Sequence, residues 1–114
     1  MKVIIAGSRQ FNDKSLLFAK CDSILANSTN ITVVSGHAAG ADALGEVYAQ
    51  AHGYPVEVYP ADWNADGKSA GFKRNVRMAM AADAAICFWD GESPGTQHLF
   101  QTMRRLKKPV RIIR

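Results

Sequence analysis

The chain has 114 residues, of which 47% are hydrophobic and 21% charged, and its formal net charge is +4. This composition predicts one globular domain over residues 1–114 and excludes a disordered chain. No apolar run approaches the roughly 20 residues of a membrane helix, and the first residues are typical of a strand rather than of a signal peptide. We therefore expect a cytoplasmic protein with no membrane association. The mild positive charge favours anionic partners without indicating nucleic acid.

Short apolar segments alternate with amphipathic ones along the whole chain. The predicted strands are Lys2–Ala6, Ile31–Val34, Pro55–Tyr59, Ala84–Phe88 and Val110–Ile113. The predicted helices run from a cap at Asn12 or Asp13 to about Ala26, from Ala39 to Ala51, from Ala70 to Ala82, and from Thr96 to Leu106. Residues 60–69 are predicted to form the longest irregular loop.

The two cysteines have no spacing typical of a metal or redox site. Cys21 falls in a predicted helix and Cys87 in a predicted strand. We expect two buried thiols in a reducing compartment, and neither a metal nor a cofactor.

The order βαβαβαβαβ with nearly continuous apolar strands predicts an α/β fold with a mainly parallel five-stranded sheet and helices on both faces. Right-handed crossovers place every strand-to-helix turn at the carboxyl edge of that sheet. Open α/β sheets bind ligands at this edge, where the strand order reverses. The sequence therefore predicts a site made from turns that are far apart along the chain.

Three of these turns combine a strand end with small residues and a helix start. They are Gly7-Ser8-Arg9, Ser35-Gly36-His37 continuing to Gly40, and Trp89 continuing to Gly95-Thr96. A helix start has unpaired N–H groups and partial positive charge, and glycine lets a phosphate approach them closely. Ordinary βα turns are the alternative for any one of the three. Together they favour a site for an anionic ligand.

Several side chains near these turns suit a phosphorylated ligand. Arg9 and Arg74 offer planar cationic groups for phosphate, and Asn75 follows Arg74. The alternative interpretation of Arg74 is a solvated charge on the surface of its helix. Trp63 beside the acceptor Asp62 offers a flat ring for a base, or it fills a gap in the core.

Carboxylates at the same edge are candidates for sugar hydroxyls or for acting on a glycosidic carbon. Asp42 and Asp90 are the two favoured here, with helix capping as the alternative for Asp42. Glu46 is interpreted as a surface charge and Glu92 as solvent-facing. His37 could contact a ligand, although a lone loop histidine is seldom catalytic.

Other features narrow the class of protein. The sequence has neither GxGxxG after the first strand nor GxxxxGK[ST], which excludes an ordinary NAD domain and a P-loop NTPase. The basic run Arg104-Arg105-Leu106-Lys107-Lys108 suits the end of its own helix, with nucleic-acid contact as the alternative.

Taken together, these motifs resemble the SLOG superfamily, named for the Smf/DprA and Lonely-Guy proteins, and within it the YspA-like branch (the DUF2493 domain). The resemblance covers nearly the whole chain. It is carried by Gly7-Ser8-Arg9 with Phe11 and Asp13, Ser35-Gly36, Gly40-Ala41-Asp42, Pro60-Ala61-Asp62-Trp63, Gly67-Lys68 with Ala70-Gly71, Arg74-Asn75 and Gly95-Thr96.

This resemblance implies a Rossmann-like three-layer sandwich that binds a nucleotide or a nucleotide-derived molecule. It implies a phosphate near Ser35, Gly36, Gly95 and Thr96. Arg74 lies where the similar Lonely-Guy enzymes, which hydrolyse the N-glycosidic bond of nucleoside monophosphates, have a catalytic arginine. Their glutamate shortly after the Gly-Thr pair is missing, since Gln97 follows Thr96.

The leading hypothesis is a module that binds a phosphorylated nucleotide derivative, such as a nucleoside monophosphate or ADP-ribose, as a sensor or by sequestering it. The first alternative is a nucleotide N-glycosidase in which Asp42 or Asp90 replaces the missing glutamate. The second is a nucleic-acid binder, which the modest net charge argues against. Because relatives pair, a homodimer or higher homo-oligomer is also an expectation.

Overall fold

The computed structural model, which describes residues 1–114, contains one sheet of five parallel strands. The strands are β1 (Lys2–Gly7), β2 (Thr32–Ser35), β3 (Val56–Val58), β4 (Ala84–Phe88) and β5 (Val110–Ile113). Their order in the sheet is β3-β2-β1-β4-β5, with every neighbouring pair parallel. The order therefore reverses between β1 and β4, which is where a doubly wound sheet opens to ligands.

Helices cover both faces of the sheet. They are α1 (Lys14–Ile24), α2 (Ala41–His52), α3 (Trp63–Asp66), α4 (Ala70–Ala81) and α5 (Pro94–Arg105). One core cluster joins α1 and α2 to the sheet, and a second joins α4 and α5 to the opposite face. The predicted Rossmann-like three-layer sandwich with a parallel five-stranded sheet is confirmed.

The central strand β1 shows why the strands are apolar without interruption. Val3 and Ile5 lie in the α1–α2 cluster, whereas Ile4 lies in the α4–α5 cluster, and all three are fully buried. A strand that is buried on both faces has no solvent-facing side on which polar residues would alternate. Cys21 and Cys87 are free, buried thiols as predicted, and burial raises the pKa of each to about 12.

The predicted irregular stretch at residues 60–69 is wrong in detail. Asp62 caps the short helix α3, because its Oδ1 accepts the Ala65 amide at 3.0 Å. A 3₁₀ turn over Gly67–Ser69 leads directly into α4. The last helix begins at Pro94 rather than at Thr96, in keeping with the preference of proline for the first turn.

The basic run at residues 104–108 lies at the carboxyl ends of two helices, with Arg104 and Arg105 in the last turn of α5 and Lys108 against α4. The Lys108 ammonium donates to the carbonyl oxygens of Ala79 (2.8 Å), Met80 (3.0 Å) and Ala82 (2.7 Å), and so caps the carboxyl end of α4. The interpretation of Lys108 as a cation for its own helix is wrong for this reason. No helix combines the length and apolarity that crossing a bilayer requires.

Candidate functional site

A cleft of about 510 Å³ opens at the carboxyl edge of the sheet, beside the point where the strand order reverses. Its walls come from the turns after β1 and β4, the start of α2, and the segment from α3 to α4. Ten of the residues predicted from the sequence line it. They are Gly7, Ser8, Arg9, Asp42, Trp63, Arg74, Asn75, Asp90, Gly95 and Thr96.

We call residues 8–13 after β1 and residues 89–93 after β4 the front loops. Hydrogen bonds join them into one unit. The Ser8 amide donates to the carbonyl oxygen of Phe88 at 3.0 Å, and the Ser8 hydroxyl accepts the Asp90 amide at 3.2 Å. The Ser93 hydroxyl lies 3.1 Å from that of Ser8. A side chain at Gly7 would overlap the Phe88 carbonyl, so this approach requires glycine.

Asp90 shapes the second front loop. Its Oδ1 accepts the amides of Glu92 and Ser93, both at 2.8 Å, and its Oδ2 accepts the Ser93 hydroxyl at 3.1 Å. The Ser93 and Glu92 amides hold the pKa of Asp90 below its ordinary value. A carboxylate whose oxygens are already occupied, and which resists protonation, is a poor proton donor. The geometry thus gives the predicted catalytic candidate Asp90 a structural task.

The start of α5 faces the cleft with unpaired donors. Pro94 is its first residue and has no N–H, while the amides of Gly95 and Thr96 have no acceptor within the protein. The amides of Arg9 and Gln10 in the first front loop are likewise unpaired. Donors gathered at a helix start suit an anion.

Arg74 reaches across the cleft from α4. Its Nη1 donates to the carbonyl oxygen of Gly36, and its Nε donates to Asn75 Oδ1 at 3.1 Å. The buried Asn75 amide group also donates to the Gly95 carbonyl at 3.0 Å and lies 3.3 Å from His98 Nδ1. Asn75 therefore fixes Arg74 relative to the start of α5. Burial lowers the pKa of Arg74, and the charge of Asp42 partly offsets this.

Asp42 is the most perturbed carboxyl group at the site. It is 5% exposed, and this burial raises its pKa to about 6. The Ala38 amide, which donates to Oδ2 at 3.3 Å, and the nearby Arg74 charge both oppose the rise. A carboxyl group with a pKa near neutrality can hold or release a proton under ordinary conditions.

Five of the predicted residues do not line the cleft. They are Ser35, Gly36, His37, Gly40 and Asp62. We call residues 35–37 the back loop, because two of these side chains turn away toward α2. The buried Ser35 hydroxyl donates to Glu46 Oε2 at 2.7 Å and accepts the His37 amide at 3.0 Å. The predicted phosphate-binding hydroxyl is thus already used within the fold.

Glu46 is not a simple surface charge, and that interpretation is wrong. Its side chain is 24% exposed, and the same Oε2 lies 2.9 Å from His37 Nδ1. The hydrogen bond to Glu46 raises the pKa of His37. His37 itself has a left-handed backbone with φ of 59°, which is uncommon outside glycine and asparagine. Glu46 and Ser35 together hold this unusual turn.

The remaining three residues shape the site without contacting its interior. A Cβ at Gly36 would lie 2.6 Å from Arg74 Nη1 and 2.8 Å from Asp42 Oδ2. Gly40 has φ of +78° and packs against the carbonyl oxygens of the first front loop. Asp62 caps α3, which positions Trp63 at the cleft.

Sequence reasoning missed Lys68, Phe72 and Ser93, which also line the cleft. Lys68 and Phe72 precede the predicted Arg74 by six and two residues, and Ser93 precedes the predicted Gly95 by two. Closeness in sequence to a predicted site residue was thus the signal that could have identified these cleft residues. For Phe72, nothing in the sequence distinguished a cleft ring from a core ring.

The cleft carries charges of both signs. The charged lining residues are Arg9, Lys68, Arg74, Asp42, Asp90 and Glu92. Burial raises the pKa of Asp42 to about 6, the carboxylate of Asp90 is occupied by its own loop, and Glu92 is an exposed carboxylate on the lining. The cations and the unpaired amides are the groups in the cleft that can bind an anion.

The fold is shared with solved structures. DNA processing protein A (DprA) from Streptococcus pneumoniae aligns with a TM-score of 0.80 at 18% identity, covering 99% of this chain and 50% of that chain. DprA from Helicobacter pylori, described for its single-stranded DNA binding mode, gives 0.75 at 17%, covering 98% and 64%. TM1055 gives 0.69 at 22%, covering 96% and 71%. This chain thus spans about half the length of the first of them, and the likeness shows a shared α/β fold.

Sequence comparison gives the family. The model of the YAcAr family, described as the YspA, cpYpsA-related SLOG family, matches residues 1–65. The gene 61 protein of Mycobacterium phage D29 is 34% identical over 116 residues, covering 96% of this chain and 93% of the relative. The chain belongs to the YspA-related SLOG family, as its motifs predicted.

Proposed function

We propose that the cleft binds a phosphorylated nucleotide or a nucleotide-derived small molecule, such as a nucleoside monophosphate or ADP-ribose. A nucleotide- or nucleic-acid-related role agrees with the SLOG family and with the DprA-like fold. The observation that carries the proposal is Arg74, held by Gly36 and Asn75 in a cleft beside the unpaired amides of Gly95 and Thr96. A guanidinium and a helix start together match a phosphate group.

The test is isothermal calorimetry with AMP and ADP-ribose. We expect saturable binding to the wild type and at least about a tenfold loss of affinity in Arg74→Ala, since a charge-assisted hydrogen bond contributes about 1.5–3 kcal/mol. Arg111→Ala is the matched control, because Arg111 is an exposed arginine on β5 outside the cleft. Titrations that stay flat at millimolar ligand, or equal affinities in both variants, would contradict the proposal.

A second candidate is hydrolysis of the N-glycosidic bond of a nucleotide. Asp42 favours it, because a buried carboxyl group with a pKa of about 6 lines the same cleft as Arg74. In such a reaction water adds its oxygen to the sugar carbon, and the base leaves with the bonding electron pair and takes up a proton. Asp42 would accept the proton from water or stabilise the positive sugar carbon.

Chromatography of AMP incubated with the protein separates the two candidates. Hydrolysis releases adenine and ribose 5-phosphate in equal amounts, and Asp42→Asn would stop it while AMP still binds. Binding without any release of adenine leaves the binding module as the function.

A further inference from the structure

Two aromatic rings that line the cleft are exposed to solvent, although packing of the core does not require aromatic rings at exposed positions. Trp63 is 53% exposed and Phe72 is 46% exposed. Of the five Phe, two Trp and three Tyr residues in the chain, only these two are exposed. Both line the same cleft. Exposed large apolar side chains that gather at one place usually mark a contact surface.

Each ring is supported from within the protein. A Cβ at Gly71 would lie 3.6 Å from Cη2 of Trp63, so the indole lies against the first turn of α4. The ring of Phe72 stacks on that of His98, with centroids 4.4 Å apart and planes 27° apart. His98 is in turn beside Asn75, which also holds Arg74. Phe72 is therefore linked through His98 to Asn75, the residue that also holds Arg74.

The lining of the cleft is accordingly divided. The aromatic wall, which we define as Trp63, Gly71 and Phe72, comes from the segment between α3 and α4. The unpaired amides come from the first front loop and the start of α5. A ligand that satisfies both parts has a flat apolar group at one end and a phosphate at the other.

We infer that the aromatic wall selects ligands that carry a nucleobase, by stacking the base on Trp63 and Phe72. This inference rests on the proposed function and makes it narrower, because sugar phosphates without a base would be poor ligands. Stacking suits the site because every base has a π-face, and alanine substitution of a stacking ring commonly weakens binding about tenfold or more.

The experiment compares AMP with ribose 5-phosphate by calorimetry. We expect ribose 5-phosphate to bind about tenfold more weakly than AMP. Trp63→Ala and Phe72→Ala should each weaken AMP binding and leave ribose 5-phosphate unchanged, so that the preference for AMP shrinks. Met80→Ala is the matched control, since Met80 is 68% exposed on α4 and lies outside the cleft. All three side chains are exposed, and circular dichroism checks that each variant folds.

Fluorescence provides an independent readout, because Trp63 and Trp89 are the two tryptophans. In Trp89→Phe the emission comes from Trp63 alone. AMP should quench or shift this emission at the concentrations that saturate the calorimetric signal, whereas ribose 5-phosphate should not. If Trp89→Phe does not fold, calorimetry of the other variants decides the question.

Each outcome has one meaning. Equal affinities for AMP and ribose 5-phosphate, unchanged by Trp63→Ala, would overturn this inference and leave the phosphate site of the proposed function in place. Absence of binding by both ligands would overturn the proposed function and this inference with it. Tighter, steeply salt-dependent binding of a short oligodeoxyadenylate than of AMP would assign the wall to single-stranded DNA and overturn the inference for free nucleotides.

Discussion

The front loops and the back loop begin from the same local pattern and end in different roles. Each follows a buried strand, contains small residues and leads into a helix. The front loops bond to each other through Ser8 and open onto the cleft. The back loop bonds to Glu46 on α2, and only its Gly36 carbonyl is directed at a cleft residue, Arg74. The front loops line the cleft, whereas the back loop holds the Arg74 side chain through the Gly36 carbonyl.

Strand order explains this difference. β1 and β4 are neighbours, and their crossovers leave toward opposite faces of the sheet, so a crevice opens between their turns. The turn after β2 leads to α2 on the same face as α1, and its Ser35 and His37 side chains bond to Glu46 on that helix. Identical turn chemistry thus has a different outcome depending on which strand lies next to it.

The largest effect is expected in Gly7→Ala, at the end of β1 just before the first front loop. The new Cβ would overlap a backbone carbonyl, which cannot move without distorting β4. We expect a loss of about 3 kcal/mol or more in the free energy of unfolding, measured by urea denaturation. Gly95→Ala is the control, because a Cβ there meets nothing within 4 Å. A wild-type urea midpoint in Gly7→Ala would refute the close approach of β1 and β4.

Asp42 lies where the two regions meet, and its titration affects stability. Its pKa is raised from 3.8 to about 6 in the folded state, so its contribution is fully present below pH 4 and is lost as pH rises through 6. Asp42→Asn should therefore gain stability relative to the wild type between pH 4 and pH 8, by up to about 3 kcal/mol. Thermal unfolding at a series of pH values measures this. The exposed Glu92→Gln is the control, and parallel curves for Asp42→Asn and wild type would show that burial does not perturb Asp42.

Gly36→Ala tests the supporting role of the back loop. The added Cβ meets the ends of the Arg74 and Asp42 side chains rather than backbone, so the fold should tolerate it better than Gly7→Ala. Arg74 must move, however, and we expect AMP affinity to fall about tenfold or more, close to the loss in Arg74→Ala. Calorimetry measures this loss, and the double variant Gly36→Ala/Arg74→Ala should lose little more than either single variant. If the losses of AMP affinity in the two single variants add up in the double variant, Gly36 does not act through Arg74.

Glu46 gives the smallest effect. Glu46→Ala leaves the buried Ser35 hydroxyl without its acceptor, which should cost about 1 kcal/mol, whereas Glu46→Gln retains an acceptor. The pKa of His37, followed by NMR, should fall toward its ordinary value in both variants. Because Glu46 raises that pKa, the His37–Glu46 pair stabilises the loop at low pH and loses this contribution as pH rises through the raised value. An unchanged His37 pKa would show that Glu46 does not bond to His37.

The element order, the parallel sheet and the edge that carries the cleft followed from the sequence, because apolar runs and glycine turns are local signals. The different roles of the front loops and the back loop did not follow from the sequence. Ser35 and Ser8 are both serines at strand ends, and only the tertiary position of Glu46 decides that the Ser35 hydroxyl is occupied. A carboxylate eleven residues away cannot be recognised as that partner from spacing alone.

Side-chain roles within the cleft were partly predictable for the same reason. Arg74 and Asn75 were predicted from their position near the start of a helix, but their mutual hydrogen bond and the bond to Gly36 depend on α4 lying over the back loop. Phe72 was missed because helical spacing does not show whether a ring packs in the core or lines a cleft. Lys108 was misassigned because its acceptors belong to another helix.

The most direct test of the account is an NMR titration of the ¹⁵N-labelled protein with AMP. We predict that the largest amide shifts fall on Gly95, Thr96 and Arg9, that the Arg74 Nε–H signal moves with them, and that the back-loop amides of Ser35 and His37 change little. Saturable shifts centred on the back loop or on the exposed edge of β3, or no shifts at millimolar AMP, would contradict the assignment of the cleft as the nucleotide site.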